Sequence, residues 1–288
     1  MPTKKSEIKR ADGDHLLYRL FLEVLELPED VSRPVIDLIL QKTSIWFTQS
    51  VYEQLPVMLP WVIRDPKCRP HTVGGAKVAD SWAAPNKSGY LRDDNSLIKG
   101  IPKSLEIVGP KSSPLARQML GRSFVACHIW RETTGPMLAS RDPLLNSFVP
   151  NLVWLPAQIA KLSDLEGGAI QQGLKRISWA LYRDKPVSPQ LFSIVEQAWS
   201  KLPPPSAGAG VDTSMLHFFS STEKFLSTRV GIIKKTHEFL SAIANGDSMP
   251  PKGKIPSRYF EGMQQIEPKI VGSLAANVGL HIIGAVGD

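Results

Sequence analysis

Prolines and glycines interrupt this sequence in two places and limit where long helices can form. They recur from residue 56 to residue 114, and a second run, LPPPSAGAG, occupies residues 202–210. Proline has no N–H to donate and glycine is a poor helix former, so neither run suits a helix interior. The sequence therefore predicts short strands and loops in the first run and a linker in the second.

This spacing divides the chain into four predicted regions. They are an N-terminal helical region (1–55), a proline-rich mixed region (56–121), a central unit with following helices (122–201) and a C-terminal helical region (211–288). Together they predict an α+β protein that is mostly helical, with a small central ββα unit and short strands in the proline-rich middle region.

Helical spacing of apolar residues predicts the individual helices. A first helix is expected over residues 14–27 and a long second helix over 32–55, with Ser32 as its N-cap. Another is expected over 167–184, with Ile170, Leu174 and Ile177 on its apolar stripe. Residues 88–104 lack a helical period and are predicted to be a surface loop, while residues 104–108 favour a strand.

Composition restricts the compartment and the class of partner. The chain has 288 residues, a formal net charge of +7 and only two cysteines. A positive charge favours an acidic partner such as nucleic acid, and two cysteines exclude a disulfide framework or a four-cysteine zinc site within one chain. The N-terminus is polar, and no run reaches the ~18 apolar residues of a membrane span. We therefore expect a cytoplasmic protein without membrane contact.

Two short segments carry the strongest functional signal. Residues 124–130 read FVACHIW, and residues 151–155 read NLVWL. Over residues 122–185 the chain resembles the HNH, or ββα-metal, nucleases. The resemblance implies that His128 is the general base that activates water, and that the Asn151 amide fixes the loop presenting it. It also implies Mg²⁺ or another divalent metal ion beside the scissile phosphate.

The sequence departs from this family at the expected metal ligands. Members commonly have an acidic residue or a second histidine just before the base, where this chain has Cys127. They usually have a histidine or asparagine about nine residues after the central asparagine, where this chain has Ala160. Asp164 and Asp142 are the candidate metal ligands, because their carboxylates are oxygen donors that a hard cation accepts.

Four basic residues are candidate contacts to double-stranded DNA. Such contacts neutralise phosphates and position a protein without reading base sequence. The candidates are Lys99, Lys161, Lys175 and Arg176.

These observations predict a metal-dependent DNA endonuclease of HNH type, associated with restriction or defence. One alternative is a non-catalytic nucleic-acid-binding protein with a degenerate HNH-like fold, which Cys127 and Ala160 would explain. The other is a helical protein-interaction module, in which His128 packs at a strand end and Asn151 is a turn residue. A zinc-protease site, a phosphate-binding loop and a G-x-S-x-G hydrolase site are disfavoured, since the sequence has no H-x-x-x-H pair, no phosphate-binding glycine loop and no G-x-S-x-G motif.

Overall fold

The elements of the fold follow from a computed structural model, which describes residues 13–68, 71–73, 76–78, 85–207, 212–247 and 262–283. The helices are α1 (Gly13–Glu26), α2 (Glu29–Thr43), α3 (Gln49–Gln54), α4 (Ser96–Gly100), α5 (Ala157–Ser163), α6 (Ala169–Tyr182), α7 (Phe192–Ser200), α8 (Glu223–Ala244) and α9 (Pro268–Ile283). The strands are β1 (Ile45–Phe47), β2 (Val62–Arg64), β3 (His71–Val73), β4 (Ala76–Val78), β5 (Leu91–Asp93), β6 (Ile107–Val108), β7 (Phe124–His128), β8 (Leu152–Pro156) and β9 (His217–Phe219). The predicted α+β class is confirmed.

A five-stranded mixed sheet forms the centre of the described structure, with strand order β6-β9-β1-β8-β7. Strand β1 pairs parallel to β9 and antiparallel to β8, and β7 pairs antiparallel to β8. The sheet takes strands from all four regions predicted from the sequence. Two smaller pairs, β2 with β5 in parallel and β3 with β4 in antiparallel, lie outside it.

Aromatic side chains fill the core against this sheet. The ring centroids of Phe47 and Trp154 lie 5.2 Å apart, and those of Trp154 and Phe219 lie 5.1 Å apart, both in edge-to-face geometry. These three rings are at most 1% exposed. Close edge-to-face packing of this kind stabilises a core beyond simple area burial.

The prediction of one long second helix over residues 32–55 is wrong. Helix α2 ends at Thr43, and β1 and the short α3 follow it. All three residues of β1 are buried, and Ile45 lies opposite both Trp154 and His217 in the sheet. In a short apolar run, the spacing of apolar residues does not distinguish a buried strand from a buried helix. Here the run forms a strand because it pairs with a neighbouring strand on each side. Ser32 is also not an N-cap, because α2 begins at Glu29.

Helices α2 and α6 pack closely at a glycine. The stripe of α6 is buried as predicted at Ile170, Leu174 and Ile177. A Cβ atom at Gly173 would lie 2.7 Å from Leu40 Cδ1, so the buried Leu40 side chain would have to shift to accept one. No helix in the described part of the chain is long and apolar enough to cross a membrane.

Candidate functional site

The central segment forms a β-hairpin followed directly by a helix. Strands β7 and β8 pair over five residues, from Phe124 opposite Pro156 to His128 opposite Leu152. Helix α5 begins at Ala157, immediately after β8, and packs against β7. Pro156 favours this boundary, because proline is unsuited to a helix interior and readily precedes a first turn. The order of elements is therefore strand, strand, helix, with His128 at the end of the first strand.

His128 is a neutral, oriented imidazole at the edge of this unit. The side chain is 8% exposed, and its Nε2 lies 2.8 Å from the main-chain oxygen of Asn146. A carbonyl oxygen only accepts, so Nε2 carries the hydrogen and Nδ1 holds the lone pair. Burial, together with the nearby Arg64 guanidinium, lowers the pKa of His128 to about 4. Nδ1 is enclosed and has no hydrogen-bond partner among the described residues.

Asn151 ties together the two ends of the loop that follows His128. Its Oδ1 accepts a hydrogen bond from the Trp130 main-chain N–H at 2.8 Å, and its Nδ2 donates to the Leu145 oxygen at 3.0 Å. Its main-chain oxygen also accepts from the Ile129 N–H at 3.0 Å. Asn151 is fully buried, so these bonds are not exchanged with water. This geometry is consistent with the loop-anchoring role expected from the sequence.

A cleft of about 850 Å³ lies beside this unit, and we call it the His128 cleft. Its described lining includes five cationic side chains and two carboxylates, with His128, Cys127 and Ala160 among the remaining lining residues. The cations are Arg64, Lys99, Arg131, Arg141 and Lys161, and the carboxylates are Asp94 and Asp164. The cleft is therefore basic, and an anionic ligand is favoured there.

The two positions where the family would supply metal ligands do not fit a divalent metal. The Cys127 Sγ–H points to the Val125 oxygen at 3.7 Å, and burial raises the pKa of this thiol to about 12. The thiolate is the form that binds metals, and it is not the form present near neutral pH. Ala160 carries no donor atom. Among the described residues, no group of three or more His, Cys, Asp or Glu side chains could hold a metal ion.

The two candidate metal ligands lie in different surroundings. Asp142 is 6% exposed, and its Oδ2 lies 2.6 Å from Lys201 Nζ. Its Oδ1 accepts from the main-chain N–H of Leu144 at 2.8 Å, so this carboxylate holds a turn and does not line the His128 cleft. Asp164 does line the cleft, and its main-chain oxygen accepts from Arg131 Nη1 at 2.5 Å. The structure thus brings Asp164, but not Asp142, to the cleft.

The four basic candidates also separate into two groups. Lys99 on α4 and Lys161 on α5 are exposed and line the His128 cleft. Lys175 and Arg176 lie on α6 and do not line it. Lys175 is 6% exposed and its Nζ is 3.5 Å from Glu166 Oε1. Helix α6 packs against α2 and α5, and Lys175 is buried there. This position does not agree with the predicted contact between Lys175 and DNA.

The segment predicted as a surface loop is an ordered wall of the cleft. It contains β5 and α4, and Asp93 joins them by accepting from Ser96 Oγ at 2.6 Å and from the Leu97 N–H at 2.9 Å. Burial raises the pKa of Asp93 above its usual range, while these two bonds act in the opposite direction. Asp93 therefore holds the turn that positions Lys99. The sequence prediction failed here because α4 has only five residues, too few to show a helical period.

The sequence analysis did not predict three arginines that line the cleft, namely Arg64, Arg131 and Arg141. Arg131 follows the HIW segment directly, and its closeness to His128 along the chain was a usable signal. Arg64 ends β2, and Arg141 lies in the loop between β7 and β8. Their convergence depends on tertiary packing, which residue spacing does not encode.

Comparison with protein-family models, curated proteins and solved structures finds no match to this chain.

Proposed function

We propose that this protein binds the backbone of double-stranded DNA in the His128 cleft, on an HNH-like ββα unit that has lost the family's metal ligands. The observation that carries the proposal is the convergence of five cationic side chains on one cleft that also contains only two carboxylates among its described residues. DNA phosphates bind such a surface with release of counterions. A cytoplasmic location accompanies the proposal.

Arginine and lysine contribute differently to this cleft. The guanidinium groups of Arg64, Arg131 and Arg141 can each donate two parallel hydrogen bonds to a phosphate. Lys99 and Lys161 are exposed on two separate helices and supply mobile point charges. Contacts to phosphate oxygens fix a protein on the duplex without reading base sequence, so we expect weak dependence on DNA sequence.

The test is the salt dependence of binding, measured by fluorescence anisotropy with a labelled duplex. Replacing Lys99 and Lys161 together by alanine removes two phosphate contacts and should reduce the slope of log K against log salt by about 1.8. The matched control replaces Lys224 and Lys235, which are exposed on α8 and do not line this cleft. Equal salt slopes for the wild type and both double variants would contradict the proposal.

A second candidate function is a DNA endonuclease of HNH type, with a restriction or defence role. It is favoured by the strand-strand-helix order and by a neutral His128 whose Nδ1 lone pair is unpaired. A neutral imidazole of this kind can accept a proton from water once Nδ1 becomes accessible. Asp164 is the carboxylate of the predicted pair that lines the cleft.

Cleavage assays separate the two candidates. Supercoiled plasmid and phage DNA are incubated with the protein in Mg²⁺, Mn²⁺ or chelator, beside a His128→Ala variant. Metal-dependent cutting that disappears in the variant would establish the endonuclease. Salt-sensitive binding without cutting in any condition supports the non-catalytic function, and absence of both binding and cutting would leave the interaction module.

A further inference from the structure

A second cleft adjoins the His128 cleft and shares two residues with it. This cleft has a volume of about 500 Å³ and lies over the parallel pair β2 and β5, and we call it the β2–β5 cleft. Arg64 and Arg141 line both clefts. Two arginines common to both linings make the clefts direct neighbours.

The β2–β5 cleft is also basic. Its described lining has five cationic side chains and one carboxylate, Asp65. The cations are Arg64, Lys67, Lys87, Arg92 and Arg141. Arg92 Nη1 lies 3.1 Å from Asp65 Oδ2, so the single carboxylate is already compensated by one of the cations. The remaining positive charge is available to an anionic ligand.

Two short turns hold the exposed lysines of this cleft in place. The Lys67 N–H donates to Asp65 Oδ1 at 3.0 Å, which fixes the turn after β2. Asn86 Oδ1 accepts from the N–H groups of Ser88 and Tyr90 at 3.0 and 2.9 Å, which fixes the turn containing Lys87. These are bonds of the main chain and of other side chains, so truncating either lysine leaves the turns intact.

We propose that the two clefts form one continuous groove for DNA, in which Lys67 and Lys87 contact backbone phosphates beyond those held at the His128 cleft. This inference rests on the proposed function and extends it. One short cleft accommodates a small anion or a few phosphates, whereas two adjoining basic clefts with shared arginines match a polymer that carries charge at regular intervals. The partner is therefore an extended duplex, with Arg64 and Arg141 at the junction of the two contact regions.

The experiment compares duplexes of two lengths with matched double variants. Binding of the full chain to labelled duplexes of about 8 and about 24 base pairs is measured over a range of salt concentrations. Lys67→Ala/Lys87→Ala should bind the long duplex roughly tenfold more weakly, with a salt slope lower by about 1.8, and should bind the short duplex like the wild type. Lys224→Ala/Lys235→Ala carries the same charge change and should leave both duplexes unaffected.

Two outcomes distinguish failure of this inference from failure of the proposed function. If Lys99→Ala/Lys161→Ala weakens binding of both duplexes while Lys67→Ala/Lys87→Ala changes neither, DNA binds the His128 cleft alone and the continuous groove is refuted. If neither double variant differs from the α8 control, the proposed function fails and the groove fails with it. Thermal unfolding of each variant verifies that the fold is retained.

Discussion

Replacing Asn151 by alanine should destabilise the protein far more than replacing an exposed asparagine. The substitution removes both amide hydrogen bonds, to the Trp130 N–H and to the Leu145 oxygen. The Trp130 N–H would be left without a partner in a buried position, at a cost of about 1–3 kcal/mol, while the Leu145 oxygen would keep only the Phe148 N–H at 3.4 Å. The unpaired N–H and the lost bond to the Leu145 oxygen together give an expected loss of about 2–4 kcal/mol, a large fraction of the ~5–15 kcal/mol that stabilises a typical domain.

Urea denaturation followed by tryptophan fluorescence measures this loss. For a chain of this size the urea dependence is roughly 3 kcal/mol per molar, so a loss of about 3 kcal/mol lowers the midpoint by about 1 M. Asn277→Ala is the matched control, since Asn277 is exposed and its Nδ2 is 3.4 Å from the Tyr90 hydroxyl. A shift for Asn151→Ala as small as the control's, within about 0.5 kcal/mol, would refute the anchoring argument.

An isosteric variant separates lost hydrogen bonds from lost volume. Asn151→Asp keeps the side-chain size and the acceptor for the Trp130 N–H, but an ionised carboxylate has no hydrogen for the Leu145 oxygen. A protonated carboxyl has one donor and one acceptor and restores both bonds. We therefore expect Asn151→Asp to be closer to the wild type in stability at pH 5 than at pH 8. Because the variant keeps the side-chain volume, a stability difference that does not change between pH 5 and pH 8 would contradict the hydrogen-bonding argument.

Three further predictions concern buried titratable groups. Burial lowers the pKa of His128, and of His281 in the last turn of α9, to about 4, below the unfolded value of 6.5. The stability that depends on these neutral imidazoles is therefore complete above pH 6.5 and is lost as the pH falls toward 4, by roughly 2–3 kcal/mol for each histidine. His128→Gln should make the stability measured by urea denaturation depend less on pH over this range. The Cys127 thiol should resist iodoacetamide in the native protein and react in urea, and alkylation of the native protein at the free-thiol rate would refute its burial. Lys201→Met should cost about 1–2 kcal/mol in the same denaturation assay, because it leaves the Asp142 carboxylate without its cation, and an unchanged midpoint would contradict this.

Local signals in the sequence predicted the parts of the fold that depend on neighbours along the chain. The apolar stripes of α1 and α6 were recognisable because each helix has 14 residues and repeats its period several times. The order of β7, β8 and α5 was expected from the resemblance to the HNH family, which the FVACHIW and NLVWL segments carry. His128 ends β7 and Asn151 immediately precedes β8, and these are the two residues that the resemblance selected.

Elements whose structure depends on distant partners were not predictable in this way. The buried strand β9 lies in a region predicted to be helical, and it pairs with β1 across about 170 residues of chain. The wall of the His128 cleft is similarly assembled from β2, α4, α5 and the loop after β7. Net charge indicated an acidic partner, but only the folded chain shows which lysines and arginines share one surface.

The departures from the HNH pattern provide a direct test of whether the ββα unit is a reduced nuclease. Cys127 and Ala160 both line the cleft that His128 lines, so Cys127→Asp together with Ala160→His should create a set of metal-binding side chains there. We expect Mn²⁺ to stabilise this double variant by about 2.7 kcal/mol at a hundredfold excess over its dissociation constant, and so to raise its melting temperature. The melting temperature of Ala160→His alone should remain nearly unchanged. Equal stabilisation of the wild type would show that these positions are unnecessary for metal binding and would strengthen the endonuclease candidate. No stabilisation of the correctly folded double variant would show that the two positions do not converge on one ion, and the resemblance would then be limited to the order of the strands and the helix.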